Sequence, residues 1–71
     1  MSAHVYYATQ RPPMMGAIPR GDLLFVDPYK ARKYVPSIDR MAWGCVVYSR
    51  RLSPQEIADY ELVAEPEVRN G

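Results

Sequence analysis

Cysteine and histidine are almost missing from this 71-residue chain: Cys45 and His4 stand alone. One cysteine rules out an internal disulfide, and one histidine with one cysteine falls short of the four soft ligands a structural zinc site needs. No run of eighteen apolar residues occurs, which excludes a membrane-spanning helix, and the N-terminus lacks the basic-then-apolar order of a signal peptide. Glycine is scarce as well, with four residues in all. Gly16 and Gly21 are isolated and neither precedes a helix, so no phosphate-cradling loop is present. These absences predict a soluble protein of the cytoplasm, with no metal and no cofactor.

The same absences leave a small domain without a covalent or metal staple. A chain of this size forms one domain at most and buries roughly 60% of the surface its unfolded form exposes. Such a core supplies no more than ~3–5 kcal/mol. Association of identical chains is the remaining route to stability, so a homo-oligomer is expected, with eight aromatic side chains available for its interfaces.

The most legible stretch is residues 42–62. Ala42 to Ser49 is short, β-branched and aromatic, and reads as a strand. Trp43, Cys45 and Val47 point to one face; Ala42, Gly44, Val46 and Tyr48 point to the other. A glycine inside a strand marks a bulge or a close approach, here expected to be covered by an aromatic. A dense helix-start signal follows. Ser53 is placed to cap, Pro54 suits the first helical position, and Glu56 can reach back to the Ser53 amide. Leu52 and Ile57 have the spacing of a hydrophobic staple. The helix is short, about 54–60, and cannot stand alone in water. The apolar surface around Trp43 is its expected seat.

Upstream, His4 to Thr9 is a strand candidate, and Asp22 to Asp27 is a second one. The continuous apolar run in the latter suggests an inner strand that Pro28 ends. Tyr29 to Arg40 reads as a crossover with a helical turn at 29–33, closed by Pro36. Residues 60–64 are a candidate fourth strand, and 65–71 a frayed end. The fold class is α+β: a small, mainly antiparallel sheet of three to four strands (about 4–9, 22–27, 42–49 and 60–64) with one helix.

Residues 10–21 form a stiff connection with three prolines and two glycines, the glycines expected at positive φ. Met14 and Met15 are apolar where polarity is usual, so they pack under something or against another chain.

Catalytic sets are missing. Cys45 lies among apolar neighbours, which raises a thiol pKa; the serines have no local histidine; the helix carboxylates read as a solvated surface. The chain is therefore expected not to be an enzyme. Charge is split: residues 1–52 hold eight Lys and Arg against three Asp, while residues 53–71 hold one Arg against five acids. A basic face that meets an acidic partner is one consequence, and an ordinary solvated surface is the plainer one. Arg11, Met14, Met15, Arg32, Tyr34, Arg40, Arg50 and Arg51 are the candidate contact residues. Arginine forks grip phosphate and aromatic faces stack on bases, so a nucleotide or nucleic acid is an alternative partner to a protein.

Four segments, Thr9-Gln10-Arg11-Pro12-Pro13, Tyr34-Val35-Pro36, Ala42-Trp43-Gly44 and Leu52-Ser53 through Glu61-Leu62, together resemble a family of short proteins of phages and conjugative elements. A similar segment occurs among the large polyvalent protein-associated domains. The likeness spans roughly residues 5–63, and Cys45 departs from a pattern with a bulkier residue there. It implies a mobile element in a bacterial host and no established activity. In that setting the expectation is stoichiometric binding that blocks a host defence protein, such as a nuclease effector. The alternatives are an oligomer that sequesters a nucleotide or nucleic acid, and an architectural module with no ligand.

Overall fold

The computed structural model describes residues 3–66. Four strands, β1 (His4–Ala8), β2 (Leu23–Val35), β3 (Arg40–Tyr48) and β4 (Leu62–Ala64), form one sheet in the order β2-β3-β1-β4, antiparallel throughout. One helix, α1 (Pro54–Asp59), and a single 3-10 turn at Met15–Ala17 complete the secondary structure of the described residues. An antiparallel sheet with one short helix agrees with the expected α+β class.

Alternation on β3 sorts the faces as the pattern requires. Ala42, Gly44, Val46 and Tyr48 are buried, while Trp43, Cys45 and Val47 are half-buried on the opposite side. The buried face meets Tyr6 and Ala8 of β1, Leu62 of β4, and Ile18 and Leu52 from the connections, with Ile57 and Tyr60 packed on it. Tyr6 and Tyr48 meet edge to face, with ring centroids 6.0 Å apart. Both hydroxyls are satisfied inside the core. Tyr48 donates to the Pro19 carbonyl at 2.5 Å, and the Leu52 amide donates to the Tyr6 oxygen at 2.8 Å. A buried hydroxyl without a partner would cost about 1–3 kcal/mol, so these two bonds let tyrosine serve as core material.

The helix therefore sits on the face opposite Trp43, contrary to the expected seat. Ile57 and Tyr60 dock where Val46 and Tyr48 point. The capping devices are present as predicted: Ser53 Oγ accepts from the Glu56 amide at 3.1 Å, and Glu56 Oε1 accepts from the Ser53 amide at 2.9 Å. The helix ends one residue earlier than expected, with Glu61 turning left-handed (φ 54°) after the Tyr60 cap.

The largest departure is β2. The chain does not cross over after Pro28; the strand continues to Val35 and returns through a four-residue turn, with Val35 paired to Arg40. Two irregularities let it do so. Leu24 is an extra residue between Leu23 and Phe25, and four residues, 29–32, stand against Trp43 alone. The segment expected as a helical turn is this wide bulge. Pro28 is tolerated because β2 lies at the sheet edge, where a missing donor breaks no inner ladder. An edge position also explains why Leu24 and Phe25 (56% exposed) are not the inner residues their apolar run suggested. Pro36 occupies the second position of the turn, where its fixed φ is favourable, and the Ile38 amide reaches the Val35 carbonyl at 3.2 Å.

Neither Gly16 nor Gly21 takes positive φ; Asp22, Asp39 and Glu61 do. Gly44 is covered by the Pro13 ring rather than by an aromatic. Glu65, placed in the frayed end by sequence, donates its amide to the Val5 carbonyl at 2.9 Å. Residues 67–71, the rest of that end, lie outside the described residues.

Candidate binding surface

The bulge and turn give β2 and β3 a common projecting arm, residues 28–42, that leaves the ladder with β1 at Ala8–Gly44. Its tip is tied back. Ser37 Oγ donates to Glu65 Oε2 at 2.8 Å, and the Tyr7 hydroxyl donates to the same oxygen. One carboxylate at the end of β4 thus holds the arm over the Trp43 face of the sheet. Burial first, and then the Glu65 contact, raises the Tyr7 pKa.

The arm carries Lys30, Arg32, Lys33 and Arg40, all exposed. The ion pairs of the described residues go elsewhere, to Arg11 with Glu61 and to Arg50 with Asp22 and Glu56. The arm cations therefore keep uncompensated charge, with two of them seated on rings. The Arg32 guanidinium lies 5.6 Å from the Trp43 ring centroid, and Lys33 Nζ lies 4.8 Å from that of Tyr29. Such contacts hold a long, mobile cation in one place for about 0.5–1 kcal/mol at an exposed site. Lys30 and Lys33 line a hollow of about 400 Å³ with Asp27, Pro28, Tyr29 and Ala31. Tyr34 donates its hydroxyl to Asp39 across the arm's turn.

Beneath the arm, the Tyr29 hydroxyl and the Cys45 thiol are neighbours that influence each other's titration. Burial pushes Tyr29 up to about 12. Burial also raises the Cys45 thiol, so its reactive thiolate is scarce at neutral pH. Among the described residues no group of three or more His, Cys, Asp and Glu side chains could hold a metal ion.

Arg32, Tyr34 and Arg40 are thus brought onto one arm. The other candidates are dispersed. Arg11 pairs with Glu61 beside the helix end. Met14 and Met15 are 66% and 51% exposed and are not covered by any of the described residues. Arg50 grips Glu56 with two parallel bonds of 2.8 Å and reaches Asp22 at 3.2 Å, which makes it a brace between α1 and the start of β2. Arg51 lines an apolar hollow of about 380 Å³ between β1, β4 and α1. Lys30, Lys33, Tyr29 and Trp43 complete the arm surface, and none of the four is among the contact residues expected from the sequence. The signal that could have found them is the density of cations between Pro28 and Pro36, opposed by no acid.

Residues 1–67 match the family described as Defence against restriction A C-terminal. This chain belongs to that family. Membership places it in defence against restriction, the anti-defence role expected from the phage and mobile-element resemblance. No curated protein and no solved structure matches the chain. The family match covers the whole sheet, the helix and the arm, so every surface described above belongs to the family region.

Proposed function

We propose that this chain counters restriction by stoichiometric binding rather than turnover, and that the β2–β3 arm makes the contact. The observation that carries the reading is the arm itself: four exposed cations with no ion pair among the described residues, on an element tied back by the Glu65 carboxylate. A restriction event joins an enzyme to its DNA, and occupying either one blocks it. A host restriction nuclease with an acidic face is one target that suits the arm, and the anionic DNA is the other.

The test is cleavage of unmodified DNA by the enzyme of a restricting host, with increasing amounts of this chain. Protection should rise linearly and saturate at a fixed molar ratio, and a Lys30→Glu, Arg32→Glu, Lys33→Glu variant should lose it. Protection at a small fraction of that ratio, or a covalent product of either component, would show turnover and overturn the reading. Absence of protection at any ratio would do the same.

A further inference from the structure

We propose that the bulge of the arm is a track for the phosphate backbone of nucleic acid, held by Lys30, Arg32 and Lys33 and indifferent to base sequence. The inference rests on the arm being the contact surface and goes beyond it by naming the ligand chemistry.

Three observations lead there. First, the bulge sets four residues of β2 against Trp43 alone, so Lys30 and Arg32 are released from strict alternation and from the ladder, and Lys33, paired with Ala42, follows at once where pairing resumes. Second, Lys30, Ala31, Arg32 and Lys33 are all exposed, so the bulge has no apolar centre. Specific protein interfaces have a core depleted in charge and rich in aromatic anchors; here the centre is charge. Nucleic acid demands no such anchor, since duplex DNA offers one negative charge per ~1.7 Å of axis. Third, the rings are in use. Arg32 covers Trp43 and Lys33 covers Tyr29, so these aromatics position cations instead of offering open faces to bases. Base stacking, the mode suggested by the basic-aromatic sequence pattern, is thereby replaced by phosphate contact. Asp27 lines the same hollow as Lys30 and Lys33 and opposes an anion there.

Counterion release makes this quantitative. Three phosphate contacts predict a log–log salt slope of about −2.7 for duplex, a roughly 40-fold loss of affinity between 50 and 200 mM salt, and roughly 20-fold for a single strand. Fluorescence anisotropy of the whole chain with labelled 20-mers of two unrelated sequences would measure it. Both sequences should bind alike. Lys30→Ala should flatten the slope by about 0.9, a readout that loss of folding does not mimic. Lys30→Arg and Lys33→Arg should retain the slope, as should Arg20→Ala, which lies outside the arm. Asp27→Asn should tighten binding by up to about five-fold, from removal of roughly 1 kcal/mol of repulsion at close range in water. A salt-independent affinity, a preference for one sequence, tighter binding to polyglutamate than to DNA, or no binding at 50 mM salt would each overturn the proposal. DNA binding without protection from restriction would leave this inference standing and remove the proposed function. Protection without DNA binding would do the reverse.

Discussion

Replacing Gly44 by alanine places a methyl group where the sheet has no room for one. Its Cβ would lie 2.6 Å from the Asp27 carbonyl oxygen and 2.8 and 2.9 Å from the Pro13 ring carbons. Neither neighbour is a flexible side-chain tip. The carbonyl belongs to the strand paired at Pro28–Gly44, and the ring belongs to the buried Pro13 of the connection that closes the core. Overpacking of this kind costs about 1–3 kcal/mol, offset by the ~0.5–1 kcal/mol that alanine gains over glycine in the unfolded chain. A net loss of about 1–2 kcal/mol remains, a large part of the ~3–5 kcal/mol available to so small a core. Unfolding entropy of about 0.15 kcal/mol/K for this length converts the loss into a fall in Tm of roughly 7–14 °C. Thermal unfolding followed by far-UV circular dichroism reads it directly. A second substitution, Pro13→Gly, removes the ring but leaves the carbonyl, so in the Gly44→Ala background it should recover only part of the loss. A Gly44→Ala protein melting within 2 °C of wild type would refute the packing argument. Full recovery on removing Pro13 would refute the role of the carbonyl.

The Arg50 fork, and then the Ser53 amide, hold the Glu56 carboxyl at about 2, below its ordinary 4.5. A depressed folded pKa contributes stability above pH 4.5 that is lost as pH falls toward 2; Glu56→Gln should therefore be less stable at pH 7 and show a flatter acid limb, and an unchanged limb in acid titrations of Tm would contradict the brace. Trp43 is half-buried on the face away from the helix, so its fluorescence in the native protein should be quenched by acrylamide, and Trp43→Ala should cost much less Tm than Leu52→Ala, which removes a side chain only 2% exposed. Leucine truncation in a core costs about 2–5 kcal/mol. Native emission that resists acrylamide, or a Trp43→Ala protein that fails to fold, would put the tryptophan back in the core.

The sequence alone determined what depends on neighbours a few residues apart. Ser53, Pro54 and Glu56 specify a helix start whatever surrounds them, because each bond they make is local. Alternation assigned each side chain from Ala42 to Tyr48 to its observed face, because the side-chain period of a strand is two. The strand at His4 followed in the same way, and the helix to within one residue at its end. Tertiary structure decided everything that depends on which elements become neighbours. Asp22 to Asp27 looked like an inner strand, and Pro28 like its end; an edge position changed both, since an edge exposes apolar side chains and forgives a missing donor. The helix chose the Val46 and Tyr48 face over the Trp43 face because Leu52, Tyr60 and Leu62 bring it there, a long-range choice invisible in its own six residues. Among the candidate contacts, Arg50 was consumed by Glu56 and Asp22, while Arg32 and Lys33 were left with rings for partners. Charge in a sequence counts cations and acids; only the fold pairs them, because an ion pair needs its two ends within about 4 Å and the chain can bring those ends together from any distance along it.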